Sequence, residues 1–382
     1  MATDNYSQFD EIRPFNPSEL PAVYDRLLAS EQFRKVLTYL YPGVDMQTIA
    51  GMMHRCRTNL EFQKALCYPF LEQLLAKASH GCDMDASAID SGKRYTFVSN
   101  HRDIVLDSAL LDKMLIDNGF TTTCEIAIGD NLLSLPWVRD FVRVNKSFIV
   151  ERSLQPRQML MASKRLSEYM HLVISDKNDN IWIAQREGRA KDSDDRTQPS
   201  VLKMMAMGGD RNPIESLKQM HIVPLAISYE YDPCDYLKAR EFQLKRDVEG
   251  WKKSPQDDVE SMRVGIMGFK GRIHYHCAPC VDDWLESIGS TLPKTELFNA
   301  LAEEIDKRIF SSYRLYANNY VAAHKLGDTD YSDKFTKEEE ETFMRYIDGQ
   351  LTKIDIPDKD EEYLRERLLV MYANPLFNSL KV

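Results

Sequence analysis

Tyr95-Thr96-Phe97-Val98-Ser99-Asn100-His101-Arg102-Asp103-Ile104-Val105-Leu106-Asp107 decides the fold. A β-rich run ends in a polar cluster, and apolar residues at helical spacing follow it. This is the pattern of a strand that passes through a short loop into a helix. Similar runs recur at 121–128, 147–150, 181–185, 221–228 and 271–277. Between them lie helical stretches such as 156–170, where Met159, Ala162, Leu166 and Met170 share one face. Strands alternating with helices predict an α/β fold with a largely parallel sheet covered by helices. Ligands of such sheets bind beyond the carboxyl ends of the strands. Residues just after a strand therefore matter most.

Working outward, residues 16 to about 77 read as helices, with Phe62, Leu66, Phe70 and Leu74 at a four-residue step. The turn-rich segment 78–93 reads as a connection. The charged segment 235–262, with Pro255, reads as a solvated excursion outside the core. The tail opens a helix at Thr336 with Glu339 in capping-box position, and Phe343, Ile347 and Leu351 follow at helical spacing. The expected organisation is a helical N-terminal segment at 1–80, an α/β domain at 94–325 and an acidic helical C-terminal appendage at 326–382.

The chain has 382 residues, with 49 Lys+Arg against 59 Asp+Glu, a net charge of −10. Residues 326–382 hold 14 acids and 8 bases, so most of the excess lies in the tail. With 43% apolar and 28% charged residues, disordered, collagenous and disulfide-scaffold classes are excluded. The acidic balance argues against nucleic acid as a partner, because that affinity rests on Lys and Arg. No apolar run approaches the ~20 residues of a membrane span. The N-terminal stretch lacks the basic and apolar regions of a secretory signal. Seven scattered Cys fit reduced thiols. The expected location is cytoplasmic, free or peripheral on the inner face of a membrane.

Four groups of residues could carry chemistry. His101 follows a strand and has Asp103 and Asp107 nearby, which suits a general base oriented by a carboxylate. The kinase reading of His-Arg-Asp fails, since Ser108 stands where the catalytic loop needs Asn. Arg186-Glu187-Gly188-Arg189 follows the strand at 181–185, and guanidiniums beside a glycine turn suit a phosphate or carboxylate. Arg196 and Lys203 add charge downstream. Arg152 follows the strand at 147–150. His274, His276, Cys277 and Cys280 are metal-ligand types, but strand alternation splits them between two faces, so no metal site is expected.

In order, His101 with Asp107, Phe148-Ile149-Val150-Glu151-Arg152, Arg186-Glu187-Gly188-Arg189 and Ile222-Val223-Pro224 resemble the four sequence blocks of the phospholipid/glycerol acyltransferases. The resemblance covers roughly 94–230. It implies a mixed, largely parallel sheet like that of the glycerol-3-phosphate acyltransferases. It also implies transfer of a fatty acyl group from a thioester, on CoA or acyl carrier protein, to the hydroxyl of a glycerol-phosphate-type lipid precursor, with no bound cofactor. On the resemblance, His101 is the base, Asp107 its partner, and Arg152, Glu187, Gly188 and Arg189 the acceptor site. The family places four residues between its His and Asp, and here there are five, which leaves Asp103 as the alternative. Two further readings stand beside this one, an O-acyltransferase of a hydroxylated aminolipid and an inactive lipid-binding pseudoenzyme.

Overall fold

The computed structural model describes residues 6–382 apart from 153, 289–291 and 329. Among the described residues the seven strands are β1 (Cys82–Asp85), β2 (Thr96–Ser99), β3 (Cys124–Gly129), β4 (Ser147–Val150), β5 (Asn180–Ala184), β6 (Ile222–Tyr229) and β7 (Ile273–Cys277). They form one sheet in the order β1-β7-β6-β2-β5-β3-β4. The five strands from β6 to β4 run parallel, β7 lies antiparallel on β6, and β1 is parallel to β7. The mixed, largely parallel sheet expected from the sequence is present, with helices at both ends of the chain.

Side chains alternate across a strand, so each strand feeds two cores. Val98, Ile181, Ile183 and Ile222 join the core formed with helices Pro156–Ser175 and Lys294–Ser311. Phe97, Trp182, Val223 and Tyr275 join the opposite core, formed with helices Tyr68–Ala78 and Leu106–Asp117. Because β2, β3, β4 and β5 are parallel, the loops carrying His101, Asp130, Arg152 and Arg186–Arg189 emerge on the same edge. β2 lies between β5 and β6, which centres His101 on that edge.

Two local readings need correction. The segment 78–93 contains β1, paired with β7 from Cys82↔Ile273 to Asp85↔His276. Its sequence, Cys-Asp-Met-Asp, carries too few apolar residues to signal a strand. The segment 235–262 is not a solvated excursion. It forms helices Asp235–Asp247 and Pro255–Met267, and Asp235, Lys238, Ala239, Glu241 and Gln243 are buried. Their charges are paired inside, as in Lys238 with Asp232 and Lys191 with Glu241 at 3.3 Å.

Helices Lys337–Thr352 and Glu361–Ser379 cover this region. Phe343, Ile347, Leu364, Leu368 and Leu376 share a core with Ala239, Val321 and Ala322. Beneath them the Asp235 carboxylate accepts from Tyr346 Oη at 2.8 Å, Tyr372 Oη at 2.7 Å and Gln350 Nε2. Burial, reinforced by neighbouring Asp232, pushes Asp235 up to about 7 from 3.8. The folded carboxyl thus holds its proton more tightly than the unfolded one, and its contribution to stability falls as pH rises from near 4 to about 7, then stays flat. Thermal unfolding between pH 5 and 8 checks this, with a smaller decline expected for Asp235→Asn. Parallel curves for the two proteins would contradict it.

Candidate active site

His101 lies in the loop between β2 and helix Leu106–Asp117, and its Nδ1 donates to Asp107 Oδ2 at 2.8 Å. Asp107 is fully buried. The same Oδ2 accepts from the backbone N–H of Arg102 at 2.6 Å and of Asp103 at 3.0 Å, while Oδ1 accepts from Tyr229 Oη at 3.1 Å. A buried carboxylate is tolerated when its lone pairs are filled, and here the filling groups shape the loop. The five intervening residues are absorbed because the helix begins only at Leu106. Asp103 has another role. Its Oδ1 accepts from the N–H of Val105 at 2.9 Å and Leu106 at 2.8 Å, which holds the helix entry. The ring of His101 stands edge-on to Trp182, 5.4 Å between centroids.

His101 lines a cavity of ≈ 790 Å³. Arg152, Arg186, Glu187, Gly188 and Arg189 line it too, so four of these expected site residues and Arg186 share one cavity with His101. The Arg152 guanidinium lies 3.8 Å from the Glu187 carboxylate, and its backbone N–H donates to Asp130 Oδ1 at 3.3 Å. Gly188 turns the loop at φ +70°, in the left-handed region where glycine is favoured. Arg189 is 92% buried by its 8% exposure, and its Nη1 has no hydrogen-bond partner. The rest of the wall is largely apolar, with Phe33 and Leu37 from helix Glu31–Leu40, Phe70 from helix Tyr68–Ala78, and Trp137 and Phe141 from helix Pro136–Val144.

Arg196 and Lys203 do not join this site. Arg196 bonds Asp194 at 3.0 Å and Asn378 at 3.0 Å, with its guanidinium over the Phe310 ring. Lys203 lies over the Phe298 ring. Both serve packing between the loop after β5 and later helices, which spacing alone could not distinguish from a binding role. As for metal-ligand types, His274 pairs with Asp83 and His276 lies 3.7 Å from Asp85. Cys280 lies instead with His221 and Asp282, ligand atoms within 4.8 Å of one another, at the edge of the sheet away from His101. This is the grouping among the described residues that could hold a metal ion.

The sequence reading missed the support behind the loop. Arg102 is buried with its Nη1 3.1 Å from Asp195 Oδ2, and its carbonyl accepts from Lys238 Nζ at 3.1 Å. Asp195 sits in an acidic run with Asp192 and Asp194 that reads as solvated, although the Asp195 side chain is fully buried. Burial raises the Asp195 carboxyl, and Arg102 opposes that rise. Asn374 donates to the Asp192 carbonyl at 2.7 Å and Asn378 to Asp194 at 3.0 Å, so the C-terminal helix grips the same loop.

Residues 83–228 match the family model described as Acyltransferase. That stretch carries the parallel strands and the His101, Arg152 and Arg189 loops, so this part of the chain is an acyltransferase domain. The 1-acyl-sn-glycerophosphate (LPA) acyltransferase PlsC from Thermotoga maritima aligns over 76% of this chain and 92% of its own, at 12% identity and a TM-score of 0.36. No curated protein matches the chain.

Helix Pro255–Met267 sits directly on the His101 loop. A Cβ on Gly265 would lie 1.9 Å from Asp103 Oδ2. Overpacking of this kind costs about 1–3 kcal/mol. Gly265→Ala is therefore expected to lower the melting temperature and the turnover together, measured by thermal unfolding and by thioester consumption. Wild-type values for both would mean that the helix is not seated on the loop.

Proposed function

We propose that the protein transfers a fatty acyl group from an acyl thioester, carried by CoA or acyl carrier protein, to the hydroxyl of a glycerol-phosphate-type lipid precursor. The observation that carries this reading is the His101–Asp107 pair, with His101 lining a cavity that has cationic and apolar walls. With Nδ1–H directed to Asp107, Nε2 is the basic nitrogen. It takes the proton of the acceptor hydroxyl as that oxygen attacks the thioester carbonyl. The tetrahedral adduct then collapses, the carbon–sulfur bond breaks, and the imidazolium returns its proton to the departing thiolate. Asp107 stabilises the imidazolium between these steps. The cavity falls in the usual range for ligand sites. Its apolar walls suit the acyl chain, and Arg152, Arg186 and Arg189 suit a phosphate.

The inactive-binder reading rested on the five-residue spacing, which the loop before Leu106 absorbs. Three arginines lining one cavity favour a phosphate over the single carboxylate of an aminolipid. The reaction needs a base and positioning, so the proposal includes no bound cofactor. We also place the protein at the inner face of a membrane. Among the described residues no helix is long and apolar enough to cross a bilayer. The support for a surface position is Leu160 and Met161, 64% and 75% exposed, on the helix whose Met159 and Leu166 line the cavity.

The chemical test offers acyl-CoA or acyl carrier protein thioester with glycerol-3-phosphate, lysophosphatidate or a hydroxyacylated aminolipid. His101→Ala is expected to lose at least about 10²-fold in turnover, and Asp107→Asn to fall with it. Asp103→Asn should chiefly lower stability, by about 1 kcal/mol as a lost helix-entry bond. Abolition by Asp103→Asn with Asp107→Asn still active would overturn the pairing. Absence of turnover by the wild type with any acceptor would overturn the reaction. Separately, Leu160→Glu with Met161→Glu should reduce sedimentation with anionic vesicles while leaving the melting temperature near wild type. Undiminished sedimentation would remove the surface assignment.

A further inference from the structure

Of the metal-ligand types at 274–280, Cys280 belongs to a group that the acyl transfer does not use. His221 just before β6, Cys280 in the turn after β7 and Asp282 at the start of helix Asp282–Ile288 bring ligand atoms within 4.8 Å of one another. Two separate stretches of chain supply them, and backbone bonds along β6 hold the stretches together. Ala278 N–H donates to the Pro224 carbonyl at 2.9 Å, and Val281 N–H to the Ile222 carbonyl at 2.9 Å. Val281 and Leu285 are fully buried, so the ligand types stand on fixed elements. His221 Nδ1 lies 2.6 Å from Asp282 Oδ2. Asp282 Oδ1 is buried and has no hydrogen-bond partner among the described residues, a costly state for a carboxylate oxygen. The nearby cations are committed to other acids, Lys218 to Glu286 at 2.8 Å and Arg308 to Glu304 at 2.6 Å. In keeping with a local shortage of positive charge, burial and the Asp282 carboxylate push the Cys280 thiol up to about 12.

We propose that His221, Cys280 and Asp282 bind one borderline divalent cation of the Zn²⁺ class, at the edge of the sheet away from the His101 loop. One nitrogen, one sulfur and one oxygen are the donors that Zn²⁺ takes, whereas Mg²⁺ and Ca²⁺ require oxygen ligands. With bonds of about 2.0–2.3 Å, tetrahedral Zn²⁺ ligands stand about 3.3–3.8 Å apart, so the group closes by movements of about an ångström. On binding, the Cys280 thiol releases its proton to solvent, His221 coordinates through a neutral ring nitrogen, and water fills the fourth position. The His221–Asp282 pair is internal to the group. The cation therefore replaces it without taking a partner from outside. Once bound, it ties the beginning of β6 to the helix after β7 and stabilises the fold in proportion to its occupancy.

The experiment titrates Co²⁺, a spectroscopic stand-in for Zn²⁺, into the chelator-treated full chain. The wild type is expected to bind one equivalent, with a thiolate-to-cobalt charge-transfer band and the visible bands of a four-coordinate ion. Zn²⁺ should displace the cobalt and raise the melting temperature. Cys280→Ser should lose the charge-transfer band, and Cys82→Ser, which changes a cysteine in β1, should keep it. His221→Gln should weaken binding at least about 10-fold, the loss that follows when even an outer partner of a metal ligand is disturbed. Three results overturn the proposal: no charge-transfer band in the wild type, a band that survives Cys280→Ser, or unchanged affinity in His221→Gln. The pair of His221 and Asp282 is then an ordinary ion pair at a helix start. Should Cys280→Ser fail to fold, His221→Gln decides alone, because it alters a side chain that is 49% exposed. The group lies away from His101, so either result leaves the acyltransferase reading as it stands.

Discussion

The carboxylate of Asp107 is the constraint on which the His101 loop depends. It lies in a place with no water to solvate it, so every lone pair must be matched by a donor. Two backbone N–H groups, a phenol and an imidazole do this. One charge therefore fixes the path of residues 101–103, the start of the following helix and the orientation of the His101 ring. Tyr229 reaches it from β6 and Tyr275 bonds the Asp107 carbonyl from β7 at 2.8 Å, so the far side of the sheet is tied to the same point.

From that point the support widens in two shells. Arg102 turns away from the cavity into Asp195 and Ser193, joining the β2 loop to the β5 loop. Lys238 holds the Arg102 carbonyl and Asp232 together, and Asp235 close by in sequence is held by tyrosines of the C-terminal helices. A polar chain thus runs from the reacting nitrogen to residues some 270 positions later. At its far end the last helix carries Asn374 and Asn378 toward the loop it covers.

What could be read in the sequence followed from how local its cause was. His101, Arg152 and Arg189 were legible because each directly follows a β-rich run, and parallel strands bring such positions to one edge. Asp107 against Asp103 was not decidable, since the answer depends on where the helix begins, a matter of one residue. β1 was hidden by its two aspartates, which pair with His274 and His276 across the strands. The helix Asp235–Asp247 reads as solvated because its charges look unpaired in a string. Arg196 and Lys203 carry the right charge in the right neighbourhood, yet Asn378 and the Phe310 and Phe298 rings claim them.

The grip of helix Glu361–Ser379 on residues 192–196 has a consequence for how the chain acquires its shape. Contacts between residues so far apart in sequence carry the largest loop-closure entropy and form late. The sheet shares this property at its edge, where β1 pairs with β7 from Cys82↔Ile273 onward. The loop after β5 therefore has its full set of partners only once the C-terminal helix has docked on it.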